Sequence, residues 1–312
     1  MNKLANTFTV DVEDYFHVSA FAARIQPREW PQFESRVVAN THRMLRLLTA
    51  RETLATFFVL GWVADRFPSL VSDIRADGHE IGSHGYWHRL VYNQSEQEFR
   101  EDIRRSCEAI DHAAGVRPVA YRAPSFSITE RSAWALDILV EEGFQVDSSI
   151  FPIHHDRYGI PTLNPAPHKS PLGRAGLWEV PPSVVSIGGV RIPVAGGGYF
   201  RLFPEQLTRL LQKRLVTRHA RPLVFYIHPW EIDPEQPRLP AGPLTRIRHY
   251  RNLHATEERL DRMLHRESFG TMAELVAMLE RDSATAAAQK EHHPKNCLAS
   301  DFCQLSRGAL SS

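Results

Sequence analysis

The 312-residue sequence predicts an α/β fold, a parallel sheet covered by helices, either closed as a barrel or left open. Two observations carry that expectation. Short apolar or β-branched runs alternate with helical segments through the first half of the chain. Polar clusters follow the strand-like runs directly, at Asp11, His84, Arg122 and Asp147. In parallel α/β folds, functional groups gather at the carboxyl ends of the strands.

The elements follow in order. Residues 7–10 form a first strand, which ends on Asp11-Val12-Glu13-Asp14. Residues 37–50 have helical spacing, and 55–60 are an apolar run suited to a strand buried on both faces. Helical segments at 62–66 and 68–77 are stopped by Gly78, and 79–82 lead as a strand into His84 and His88. Ser95-Glu96-Gln97-Glu98 has capping-box spacing and opens an amphipathic helix to Ala114, ended by Gly115. Residues 119–121 are the next strand, Thr129 caps a helix to Glu142, and 144–146 lead into Asp147. Residues 184–194 read as a hairpin with a Gly-Gly turn. Gly196-Gly197-Gly198 lacks the Gly-Lys-Ser/Thr of a phosphate cradle and reads as a structural loop. A helix at 204–219 precedes the strand 222–227, which ends on His228-Pro229-Trp230-Glu231. Residues 242–253 read as a polar connection, 255–265 and 272–280 as helices, and 281–312 as a disordered tail.

Composition narrows the function. Lys and Arg number 37 against 36 Asp and Glu, so net charge gives no argument for nucleic acid. No apolar run reaches membrane-spanning length, and the first residues lack the apolar core of a signal peptide. The expectation is a cytoplasmic protein without membrane insertion. Three cysteines make no disulfide framework: Cys107 reads as a small core residue, and Cys297 and Cys303 lie in the polar tail.

His84 and His88 stand four apart, a spacing that puts both imidazoles on one face of a helical turn. Two neutral imidazoles suit a borderline divalent cation but need a further ligand, usually a carboxylate.

Asp11-Val12-Glu13-Asp14, Ser83-His84-Gly85-Tyr86-Trp87-His88, Arg122-Ala123-Pro124 and Ile227-His228 occur in the order of the polysaccharide deacetylase motifs. The chain thus resembles that family (NodB-homology, carbohydrate esterase family 4) from about Phe8 to His228. The extended acidic motif and the segment 225–231 resemble the subgroup associated with exosortase and exopolysaccharide gene clusters. The resemblance implies a distorted (β/α) barrel with fewer than eight parallel strands. With the hairpin insertion and a C-terminal extension from about 230, it makes one catalytic domain over 1–280. It implies Asp11 as catalytic base, His84 and His88 as metal ligands, and His228 as general acid. It also implies Arg122 as the arginine that orients the base and Asp147 as the acid that tethers His228. Most of the family has adjacent aspartates where this chain has Asp11 and Val12. Val12 cannot ligate, so the third ligand is Glu13, with Asp14 as the alternative. Along an extended strand, residues i and i+2 point the same way, which favours Glu13. Tyr15, Trp87, Pro124 and Trp230 are candidates for contact with a sugar ring. His17, His154, His155, His249 and His254 match no motif and are read as non-ligands.

The implied activity is metal-dependent removal of N-acetyl groups from amino-sugar units of a polysaccharide or its precursor. The cofactor is one divalent ion, Zn²⁺ first, with Co²⁺, Mn²⁺, Ni²⁺ or Fe²⁺ also admitted by the donor set. The partners are an N-acetylated carbohydrate and an exopolysaccharide assembly machinery. The rival readings are an amidohydrolase opening a small cyclic amide or imide, and a non-catalytic carbohydrate-binding component.

Overall fold

The computed structural model describes residues 6–155, 157–173 and 176–291. Strand β1 (Asn6–Val12) is buried along its whole length. The pleat sends alternate residues to opposite sides. Phe8, Val10 and Val12 enter the main apolar core, while Thr9 and Asp11 turn the other way and meet the guanidinium of Arg122. Alternation within one strand therefore separates core from site.

Helix α1 (Val37–Thr49) and strand β2 (Thr56–Val59) follow, then α2 (Gly61–Arg66), α3 (Pro68–Ala76) and β3 (Glu80–Ser83). Next come α4 (Glu96–Ala114), β4 (Ala120–Tyr121), α5 (Trp134–Glu141) and β5 (Val146–Asp147). Helix α4 starts at the expected capping box, with Ser95 and Glu98 satisfying each other's backbone N–H, and ends at Gly115 in the left-handed region. Beyond β5 lie β6 (His168–Lys169), β7 (Trp178–Glu179), and the hairpin β8 (Val184–Ile187) and β9 (Val190–Pro193). Then come α6 (Gly197–Leu202), α7 (Glu205–Arg218), β10 (Val224–Ile227), α8 (Pro243–Tyr250), α9 (Leu253–Arg266), β11 (Phe269–Gly270) and α10 (Met272–Glu291).

The large sheet runs in the order β10-β1-β2-β3-β4-β5-β7-β6, with β11 beside the start of β1. Every pairing in it is parallel except that of β6 with β7. The path is open, with β10 at one end and β6 at the other, which is the distorted, incomplete barrel expected. Because the strands are parallel, the residues after β1, β3, β4, β5, β7 and β10 share one rim. The domain boundary expected near 280 falls inside α10, and a second compact unit begins at Val276.

Several elements differ from expectation. Residues 242–253 are not a connection, because α8 occupies most of them. Only its last two residues, His249 and Tyr250, are buried, so no apolar stripe announces it. Helix α10 continues to Glu291, where a tail had been expected from 281; Cys297, Cys303 and the rest of that tail lie outside the described residues. The expected helix at 129–142 divides into a 3₁₀ turn at Glu130–Ser132 and α5. Cys107 is buried, as expected.

The Gly196-Gly197-Gly198 run is a point of close approach. Gly196 bridges to Tyr226 of β10, with φ at +126°, and a Cβ there would lie 1.9 Å from the Tyr226 carbonyl oxygen. Only glycine fits that backbone and that gap. Gly196→Ala should therefore destabilise the fold by about 3 kcal/mol or more, read as a lower midpoint in chemical denaturation.

Candidate active site

The rim at the carboxyl ends of the strands brings together Asp11, Glu13, His84, His88, Arg122 and His228. Backbone turning starts at once after β1, where Glu13 N–H donates to the Asp11 carbonyl at 2.9 Å. Asp11 and Glu13 are both buried, at 2% exposure.

Glu13, His84 and His88 each offer one ligand atom, and the three atoms lie within 4.8 Å of one another. Among the described residues this is the group of His, Cys, Asp and Glu that could hold a metal ion. The local chemistry fits a cation. His84 Nδ1 lies 2.7 Å from the Arg122 carbonyl, which can only accept, so Nδ1 carries the proton and Nε2 is left as a lone pair. Glu13 Oε2 stands 2.7 Å from His88 Nε2 yet is buried without a hydrogen bond. Burial would push the Glu13 carboxyl up, but His88, His228 and His84 hold it far below the ordinary carboxylate range. Burial pushes His84 down to about 4, which keeps its imidazole neutral at physiological pH.

The pair is not carried on a helical turn, as its spacing suggested. His84 and His88 flank a loop after β3, with Gly85 at φ +72° and His88 at φ +52°. Asp102 of α4 holds that loop, accepting from Tyr86 N–H at 2.7 Å and Trp87 N–H at 3.1 Å. Reading the sequence missed Asp102. Its signal was a carboxylate placed among the buried residues Phe99, Ile103, Ser106 and Cys107 of one helix face.

The backbone sends the carboxylates of Glu13 and Asp14 to different neighbours. Asp14 Oδ2 accepts from Ser35 Oγ and from the N–H groups of Arg36 and Val37, while Oδ1 accepts from Tyr15 N–H. Asp14 therefore anchors the start of α1 and lies outside the Glu13, His84 and His88 group. Burial raises its carboxyl to about 6 against those bonds.

Arg122 is fully buried on the ring of Phe58. Its Nη1 donates to Asp11 Oδ1 and to Thr9 Oγ1, both at 2.7 Å, and its Nη2 donates to Ser148 Oγ at 2.9 Å. A planar fork held at three points fixes one carboxylate oxygen of Asp11 and leaves the other facing the site.

His228 follows β10 and is the most open of these groups, its side chain 18% exposed against 3% for Asp11 and 4% for His88. Its Nε2 lies 3.8 Å from Asp11 Oδ2 and 3.4 Å from Glu13 Oε1. The expected tether, Asp147, does not hold it. His228 Nδ1 instead donates to Glu231 Oε1 at 2.7 Å. The reason is local: the Pro229–Ile232 3₁₀ turn folds Glu231 back onto the residue three before it. Burial would lower the His228 pKa, but Glu13, Glu231 and Asp11 raise it to about 9, which keeps the ring protonated at neutral pH. A cation on Glu13 would cancel part of that field.

Asp147 instead faces Ser149, whose Oγ donates to it at 2.5 Å, and pairs with Glu179 at the end of β7. Glu179 Oε2 is buried with no donor in reach, the arrangement of two carboxyls sharing a proton. Burial raises both, and Asp147 further raises Glu179. Sharing favours the protonated form in the folded chain, so its stability is complete below the ordinary carboxylate range and falls as pH rises toward neutrality. Glu179→Gln should remove that loss. Its stability relative to the parent should rise by about 1–3 kcal/mol between pH 5 and pH 8, measured by denaturant melts at both.

Of the four candidates for sugar contact, Tyr15, Pro124 and Trp230 are buried, and Trp87 is half-buried. Tyr15 packs edge-on against Phe16 in the core. Trp230 stacks between His228 and His249, and its Nε1 donates to Glu13 Oε1 at 3.2 Å. Trp230 thus supports the site, and it has no free face for a sugar. His17, read as a non-ligand, lies outside the three-atom group, with its Nδ1 accepting from Asp14 N–H.

Comparison with known proteins gives the chain its relatives. Residues 30–144 match the family model described as polysaccharide deacetylase, and 148–277 match a domain of unknown function (DUF3473). The chain is 36% identical over 98 residues to a peptidoglycan-N-acetylglucosamine deacetylase of Bacillus cereus, covering 31% of this chain and 36% of that one. It is 30% identical over 100 residues to a chitooligosaccharide deacetylase of Azorhizobium caulinodans, covering 32% of this chain and 45% of that one. The matches thus span less than half of those curated relatives. A crystal structure of a Mycobacterium smegmatis protein classed as a polysaccharide deacetylase superposes with a TM-score of 0.58, at 18% identity over 97% of both chains, and shares the fold. Asp11 and Glu13 precede both matched spans, the two histidines and Arg122 lie in the first, and His228 lies in the second. Residues 30–144 thus match the polysaccharide deacetylase model, and the Glu13, His84 and His88 group has its histidines inside that span and its carboxylate before it.

Proposed function

We propose that this protein is a metal-dependent hydrolase that removes N-acetyl groups from amino-sugar units of a polysaccharide or its precursor. One observation supports this above the others. A Glu/His/His ligand set, a carboxylate held by a buried arginine and a partly exposed histidine converge on one rim.

Amide hydrolysis needs an activated water, a stabilised oxyanion and a protonated leaving amine. A divalent ion on Glu13, His84 and His88, with Zn²⁺ our first choice for this donor set, would supply Lewis-acid polarisation and acidify a bound water. Asp11, its second oxygen free of Arg122, accepts the proton from the attacking water. His228 gives its Nε2 proton to the departing amine, and Glu231 stabilises the ring while it is charged. Arg122 keeps Asp11 aimed. The His228 proton matters most for a poor leaving group, an amine or an alkoxide, and little for a nitrophenolate.

The substrate class follows from the relatives, whose names specify N-acetylglucosamine in peptidoglycan and chitooligosaccharides. Within that class we assign the protein to exopolysaccharide synthesis, on the resemblance of segments 11–18 and 225–231 to that subgroup, and expect it to work beside an assembly machinery. No helix among the described residues is long and apolar enough to cross a membrane.

The test is acetate release from N-acetylglucosamine oligomers by the metal-loaded protein, beside His84→Ala and Asp11→Asn. Release by the parent alone supports the reading. Equal release by all three would sink the mechanism. Ring-opening of a cyclic imide by the parent, without acetate release, would replace the deacetylase by an amidohydrolase.

A further inference from the structure

The geometry points to Arg201 and Glu231 as positioning residues that hold His228 ready as the proton donor. The inference rests on the proposed deacetylation. Neither residue belongs to the ligand set; both act through the His228 ring.

Glu231 is fully buried and Arg201 is 1% exposed. Glu231 Oε1 accepts from His228 Nδ1 at 2.7 Å and from the His228 N–H at 3.2 Å. Its other oxygen accepts from Arg201 Nε at 2.5 Å. Both carboxylate oxygens are thereby committed, and the carboxylate can neither rotate nor leave the ring. Arg201 is fixed in turn by backbone. Its Nη1 donates to the carbonyls of His249 and Arg251, and its Nη2 to that of Arg248. Those carbonyls are the frayed end of α8, groups that a helix terminus leaves without intrahelical donors. A rigid five-donor guanidinium can serve that carbonyl cluster and a carboxylate together; an ammonium cannot reach all of them in fixed directions.

A buried ion pair is poor evidence for stability alone, because desolvation offsets most of its attraction. Its use here is orientation. Nδ1 is committed to Glu231, so the only proton His228 can give is on Nε2, the atom that faces Asp11 and Glu13. The chain of contacts runs from α8 through Arg201 and Glu231 to His228. It lies wholly in the region matched by the domain of unknown function, to which it gives a role in the site.

The experiment separates proton donation from general integrity. Metal-loaded parent, Glu231→Gln and Arg201→Lys are assayed on N-acetylglucosamine oligomers and on 4-nitrophenyl acetate. The amine leaving group needs a proton, and the nitrophenolate does not. We expect kcat on the oligomer to fall by about tenfold to a thousandfold in Glu231→Gln, with KM within about twofold, and ester hydrolysis to fall less than about threefold. Arg201→Lys should fall in the same pattern to a smaller extent. In metal-free protein, the His228 Nδ1 proton should resonate far downfield in the parent and move upfield in both variants. Parallel losses on both substrates, an unchanged oligomer rate, or an unmoved resonance would overturn the inference. Should Arg201→Lys fail to fold, Glu231→Gln decides alone. A parent that releases no acetate, with the resonance moving as expected, would overturn the deacetylase reading and leave the positioning of His228 standing.

Discussion

Glu13→Ala is expected to empty the metal site and to lower acetate release by at least about a thousandfold, while Asp14→Ala is expected to keep the metal. The contrast follows from where the two carboxylates point. Glu13 Oε2 stands 2.7 Å from His88 Nε2, within the three-atom group that includes His84. Loss of one of three protein ligands removes both the charge and the geometry a divalent ion needs. Asp14 spends its oxygens on Ser35 and on the backbone of Tyr15, Arg36 and Val37. Its removal leaves buried donors unpaired at the start of α1, a loss of about 1–3 kcal/mol in stability. Metal content after dialysis, with melting of both variants, checks the pair. Metal retained by Glu13→Ala and lost by Asp14→Ala would reverse the assignment.

Asp11→Asn is expected to lower kcat on acetylated oligomers by about 10²–10⁴, the range for loss of a general base, with metal content unchanged. The substitution keeps the shape and removes the proton acceptor. It also leaves the Arg122 guanidinium, buried and charged, without its anionic partner. A stability loss of about 3 kcal/mol should therefore accompany the loss of rate, and a denaturant melt will show it. Unlike loss of His228, loss of the base should slow ester and amide alike, because both need the activated water. A variant that kept ester hydrolysis but lost amide hydrolysis would place Asp11 on the leaving-group side and contradict its role as base.

These expectations draw on two kinds of information. The alternation of strands and helices, the capping box at Ser95, and the polar clusters after the strands were legible because they are local. Period, cap and turn chemistry are set by neighbours a few residues apart. The Asp11 and Glu13 pair was read from the pleat, but Glu13 lies past the end of β1, where the backbone has already turned. Helix α8 was not legible, because its burial comes from Trp230 stacking on its last turn and not from its own pattern. The loop between His84 and His88 was misread as helical, since spacing alone cannot tell a helix face from a loop held by Asp102.

By itself the sequence determined the α/β class, the succession of β1 to β5 and β10, and the residue types that converge on the rim; β6, β7 and β11 were not legible in it. Tertiary structure decided which acid serves which partner. Glu231, and not Asp147, tethers His228, and Asp147 pairs with Glu179. Asp14 anchors a helix, and Trp230 supports Glu13 where a sugar contact was expected. The reason is physical. A carboxylate's role depends on which donors lie within about 3 Å of it, and those donors come from segments as far as 217 residues away.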